Sequence, residues 1–151
     1  MNIFPKKYLS KIELQAISAA IAEVEKKTSG EIRVVARHQR HRKENMLSLH
    51  DLALREFHHL GMEKTRDRTG VLILILFSER KFQIIADEGI HTKVDEGTWE
   101  RLAAKMSSHF KEGNYAEGIT ETIREVGSLL AGYFPRRPDD GNELSNTVVE
   151  E

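Results

Sequence analysis

The chain has 151 residues, with 23 Lys and Arg against 24 Asp and Glu and no cysteine. That length fits one domain, which buries about two thirds of its unfolded surface and needs no covalent staple. The missing thiols exclude disulfides, thiolate metal sites and cysteine nucleophiles, and the near-neutral charge gives no global pull toward nucleic acid or anionic lipid.

Ser10-Lys11-Ile12-Glu13 has the form of a capping box, and Leu14, Ile17, Ile21 and Val24 follow at helical spacing. Thr28-Ser29-Gly30 stops that helix. Glu31–Arg37 (EIRVVAR) alternates, with Ile32, Val34 and Ala36 on one face and charges mostly on the other. It reads as a half-buried strand. His38–Asn45 is polar and basic. A second helix is expected from about Met46 to Leu60, with Leu49, Leu52, Ala53, Phe57 and Leu60 as its stripe.

Gly70–Phe77 (GVLILILF) is apolar on both faces, so it reads as the central strand of a covered sheet. Ser78-Glu79-Arg80 makes a short hairpin connection, and Lys81–Ala86 is the return strand. A third helix runs from about Asp95 to Lys111, carrying Trp99, Leu102, Ala103, Met106 and Phe110 on one face. A fourth carries Ile119, Ile123, Val126 and Leu130 and closes at Pro135. The order α-β-α-β-β-α-α predicts a single three-layer α/β/α sandwich with a small mixed sheet. The domain spans 1–135, and 136–151 reads as a polar acidic tail.

The hairpin places Asp87-Glu88 beside the start of the second strand, Arg68-Thr69. A parallel crossover between the first two strands brings Glu31 to the same end. Oxygen-rich groups gathered there suit a hard cation, Ca²⁺ or Mg²⁺. The same residues also read as a solvated strand end with a surface Arg–Glu pair.

Other patterns are less informative. No phosphate-cradling loop of Walker or Rossmann form is present. His50, His58 and His59 share a helix without an HExxH pattern, which reads as surface histidine rather than zinc. The basic cluster His38–Lys43 lacks interleaved aromatics and reads as a solvated loop. Asp139-Asp140-Gly141-Asn142-Glu143 lacks the alternating ligand spacing of a calcium loop. The opening MNIFPKK shows no apolar h-region, and the longest apolar run, Val71–Phe77, is far short of the roughly 20 residues of a membrane span. A cytoplasmic location is the expectation, with no membrane span and no nucleic-acid partner.

Several stretches together resemble the TPM domain family, whose members include a thylakoid lumen phosphatase-like protein. They are Thr28–Val34, Leu60–Thr65, Arg68–Leu72 and Ala86–Ile90, then Trp99, Phe110–Gly113, Gly118-Ile119, Phe134 and Asp139–Leu144. The likeness spans about Phe4 to Leu144. It departs from the family pattern at Thr69, where Asn or Asp is usual, and at Ala86, where Gly is frequent. The resemblance implies a three-layer fold, divalent-metal binding, often calcium, and for the plant members acid phosphatase activity. Asp87, Glu31, Thr69 and Glu88 are the expected ligands, Glu88 through its backbone carbonyl or its carboxylate, with Ca²⁺ ahead of Mg²⁺. The expected role is a metal-binding or regulatory module with a protein partner. The alternative is a metal-dependent phosphomonoesterase, although no nucleophile or general base stands out.

Overall fold

Ser10 accepts the Glu13 N–H at 3.1 Å, and the Glu13 carboxylate accepts the Ser10 N–H at 2.8 Å. This reciprocal cap opens α1 (Lys11–Glu25), which buries Ile17, Ile21 and Val24. The structure, a computed structural model, describes residues 8–137 and 148–150. After α1 come β1 (Glu31–Arg37), α2 (Leu49–His59), β2 (Gly70–Leu76) and β3 (Lys81–Ala86). The chain continues through α3 (Glu88–His91), α4 (Glu96–Lys111), α5 (Tyr115–Tyr133) and β4 (Val149–Glu150).

The sheet runs β3-β2-β1-β4. β1 lies parallel to β2 and to β4, and β3 returns antiparallel on β2. Alternate side chains point to opposite layers. Ile32, Val34, Val71 and Ile73 join the core under α1, α4 and α5. Val35, Leu72, Leu74 and Ile85 join Leu52 and Phe57 of α2 on the other face. Hence β2 is internal and buried on both faces throughout, as its unbroken apolar run predicts. The helices α1 and α5 approach so closely that a Cβ on Gly127 would lie 2.5 Å from Val24 Cγ2.

The structure departs from the sequence reading in four places. β1 is not half-buried: all seven of its residues are buried, Glu31, Arg33 and Arg37 included. Its charged face lies inside, under the α2 layer, and its charges are paired there. The second helix begins at Leu49, with Ser48 accepting the Asp51 N–H at 3.0 Å. The preceding residues form a 3-10 turn, Arg42–Glu44, and Met46 is exposed. A single helical turn, α3, follows Asp87 where only a strand end was expected. Finally, the segment from Arg136 onward does not end as a tail. Val148 joins the core and Val149 pairs with Val35. Residues 138–147, which include the Asp139–Leu144 stretch of the expected acidic tail, lie outside the described residues.

Candidate functional site

Gly70, the first residue of β2, sets the geometry of the strand end. It pairs with Glu31 of β1, and its carbonyl accepts the Asp87 N–H at 2.9 Å. The topology therefore does bring Glu31, Thr69 and Asp87 around one point of the backbone. Their side chains divide into two groups.

The first group centres on Asp87. Its carboxylate accepts Arg68 Nε at 2.8 Å and Arg68 Nη2 at 2.9 Å, a bidentate fork. One oxygen also accepts the Glu88 N–H at 2.8 Å, capping α3. The Asp87 side chain is 5% exposed, whereas Arg68 is 42% exposed. Glu88, 74% exposed, places a carboxylate oxygen 3.7 Å from Arg68 Nη1. Hydrogen bonding of Arg68 to Asp87 is the main influence raising the Arg68 pKa above its already high ordinary value. Partial desolvation opposes it, and the charges of Asp87, Glu88 and Glu63 reinforce it.

Backbone shape holds this fork in place. Arg68 has φ 57°, a left-handed conformation that a non-glycine residue adopts at a cost of about 1–2 kcal/mol. Gly89 donates its N–H to the Arg68 carbonyl at 3.0 Å. A Cβ on Gly89 would lie 2.3 Å from the Asp67 carbonyl oxygen and 2.6 Å from that of Arg68. Only glycine allows the two loops to lie this close. Asp67 in turn accepts Arg137 Nη2 at 2.6 Å, so the chain after α5 passes this loop.

The second group is buried. Glu31 accepts Arg33 Nη2 at 3.2 Å, and Glu25 accepts both Arg33 Nη1 and the Ile32 N–H at 2.9 Å. Glu25, at the end of α1, thus supplies an acceptor for a β1 amide that lies outside the short β4 pairing. Thr69 is 1% exposed; its N–H donates to Thr65 Oγ1 at 3.2 Å and its carbonyl accepts the Glu31 N–H at 3.1 Å.

A divalent cation fits this donor set in part. Asp87 and Glu88 flank the Arg68 guanidinium, which already holds positive charge against an oriented, desolvated carboxylate. Glu31 is buried and bound to Arg33. Among the described residues no group of three or more His, Asp or Glu side chains is arranged to hold a metal ion. His50, His58 and His59 are exposed along α2.

Three arginine assignments escaped the sequence reading. Arg33 and Arg37 are buried pairs rather than surface charges; Arg37 binds Glu44 at 2.6 Å. Arg40, inside the supposedly solvated basic loop, binds Glu79 at 2.6 Å and the carbonyls of Glu44 and Leu47 at 2.9 and 2.6 Å. The only available signal was the nearby acidic Glu44, which sits seven residues from Arg37 with no helical register to link them.

Among the described residues no helix is long and apolar enough to cross a membrane. No curated protein matches the chain. The solution structure of BA42 protein from Bizionia argentinensis is similar over 97% of this chain and 98% of that one, at 35% identity and TM-score 0.87. The N-terminal domain of a P. gingivalis protein shares the fold at 22% identity and TM-score 0.68, covering 84% of this chain and 79% of its own. The N-terminal domain of cg2496 protein from Corynebacterium glutamicum does so at 13% identity and TM-score 0.61, over 86% and 84%. The model of the TPM domain matches residues 4–129. Together with the mixed sheet, its helical layers and the Asp87 strand end, this match shows that the chain belongs to the TPM domain family.

Proposed function

We propose that the domain is a divalent-cation-binding module, calcium before magnesium, that regulates or recruits a protein partner and seats its cation at Asp87 and Glu88. The observation that supports this is the Arg68–Asp87 fork. An oriented carboxylate, 5% exposed, holds a cation that is itself 42% exposed and carried on a left-handed backbone residue. Such a guanidinium is a plausible stand-in for a metal, because it is the more exposed and more strained partner. Calcium suits the set better than magnesium, since it accepts irregular oxygen geometry and completes its sphere with water. Thr69 and Glu31 then act behind the site, shaping the strand end through the Glu31 N–H to Thr69 carbonyl bond.

The test exploits competition between Arg68 and the ion. A ligand at about 100 times its dissociation constant stabilises the folded state by about 2.7 kcal/mol. Millimolar calcium should raise the melting temperature of the wild type. Arg68→Gln should be less stable without calcium and gain more from it. Asp87→Asn should gain nothing. An equal rise in all three proteins would sink the assignment.

Membership in the TPM domain family favours a second reading, a metal-dependent phosphomonoesterase. Phosphoryl transfer needs positive charge placed on the equatorial oxygens. Arg68 is the candidate, but its charge is committed to Asp87. Turnover of para-nitrophenyl phosphate should then vanish with EDTA and in Asp87→Asn alike. Turnover that survives Asp87→Asn at the wild-type rate would exclude this site.

A further inference from the structure

The opposite end of the sheet carries a second concavity, remote from Asp87 in the register of β3. It is a cavity of about 630 Å³ between the β2–β3 turn and the α4–α5 junction. That volume lies within the roughly 300–1,000 Å³ of small-ligand pockets. Its walls are a chain of rings. Phe82 meets Phe110 at 5.7 Å between centroids, Phe110 meets Tyr115 at 5.1 Å, and Tyr115 meets Phe77 at 5.3 Å, all edge-to-face. Phe77 is buried, but Phe82, Phe110 and Tyr115 are only half-buried, so ring surface remains open to the cavity.

Charge on the same lining is one-sided. Arg80, Lys81 and Lys111 are exposed there, against a single carboxylate, Glu112. None of the three cations has an ion-pair partner among the described residues. This differs from Arg33, Arg37, Arg40 and Arg68, each of which is bound to a carboxylate. Arg80 also has φ 53°, where Gly or Asn is the low-strain choice. A long cationic side chain is therefore held at the mouth against local preference.

We propose that this cavity binds an amphipathic organic anion, its flat aromatic body against Phe82, Phe110 and Tyr115 and its acidic group on Arg80, Lys81 and Lys111. Aromatic walls supply apolar contact and favour ring-on-ring geometry. The cations supply charge-assisted hydrogen bonds and reject neutral molecules of the same shape. The site does not depend on the cation seat at Asp87.

Naphthalene-2-sulfonate is a suitable probe, with 2-naphthol as its neutral counterpart and inorganic sulfate as the bare anion. Titrations followed by amide and ring NMR shifts should move Phe82, Phe110, Gly113 and Tyr115 saturably with the sulfonate. Naphthol should bind at least about tenfold more weakly, the value of one good charge-assisted contact. Sulfate alone should not saturate. Arg80→Gln, Lys81→Gln and Lys111→Gln together remove only exposed charge, and should reduce sulfonate affinity to the naphthol level. Ser107→Phe, which fills the cavity, should abolish both. Equal binding of sulfonate and naphthol, shifts centred on another surface, or a triple variant that binds as the wild type does would each overturn the proposal.

Discussion

β1 and β2 lie side by side in the same sheet, and both are buried over their whole length. β2 achieves this with hydrocarbon alone, Gly-Val-Leu-Ile-Leu-Ile-Leu. β1 carries Glu31, Arg33 and Arg37 into the same environment. The difference teaches what burial requires of each strand. For β2 every side chain gains from leaving water. For β1 the charges are tolerated because they are paired: Arg33 with Glu31 of the same strand and with Glu25 of α1, and Arg37 with Glu44 of the 3-10 turn and Glu56 of α2. β2 is held by packing alone, and β1 by the packing of Ile32, Val34, Val35 and Ala36 together with matched charge.

Breaking each strand in its own way should separate the two modes. Arg33→Ala leaves Glu25 and Glu31 buried without their shared counter-charge, and should cost about 3–5 kcal/mol in urea unfolding. Leu74→Ala removes only contact and transfer energy, about 2–5 kcal/mol, with its value set by how far the core collapses. If Arg33→Ala proves nearly neutral, the buried pairs on β1 are wetter than their exposure implies. A smaller effect concerns pH. Burial pushes the Glu44 carboxyl up, but hydrogen bonds from Arg37 and the His41 N–H outweigh it, leaving the pKa below its ordinary 4.5. A depressed native pKa contributes stability above the unfolded value, which is lost as pH falls through the native one. Wild-type stability should therefore decline as pH drops below about 4.5, in part through this group. Glu44→Gln should be less stable at neutral pH and lack that part of the decline. Leu74→Ala should track the wild type at every pH, offset by a constant amount.

The same contrast explains what could be read from the sequence. β2 was legible because seven consecutive apolar residues have only one comfortable place in a small domain. The cap at Ser10 was legible because a side chain and its target amide lie three residues apart. The burial of β1 was not, because EIRVVAR alternates equally well against water or against buried carboxylates. β4 escaped because two residues carry no periodicity, and α3 because one turn does not either. At the candidate site, the topology alone placed Glu31, Thr69 and Asp87 at one strand end. It did not reveal which carboxylate faces which arginine. That depends on side-chain direction, and on the close contact at Gly89 that brings Arg68 over Asp87.

The chain path between the strands has a consequence for the order of events in time. β2 and β3 meet across residues 77–80, whereas β1 reaches β2 only across residues 38–69. A local hairpin closes in about 1–10 μs, while a non-local parallel pair must first overcome the entropy of a long loop. The hairpin is thus the early structure, and the pairing of β1 with β2 comes late, near the end of the folding reaction. Contacts made that late act mainly on escape from the native state. On this order the parallel β1–β2 seam bears on how long the folded domain lasts, and the local β2–β3 hairpin on how quickly it forms.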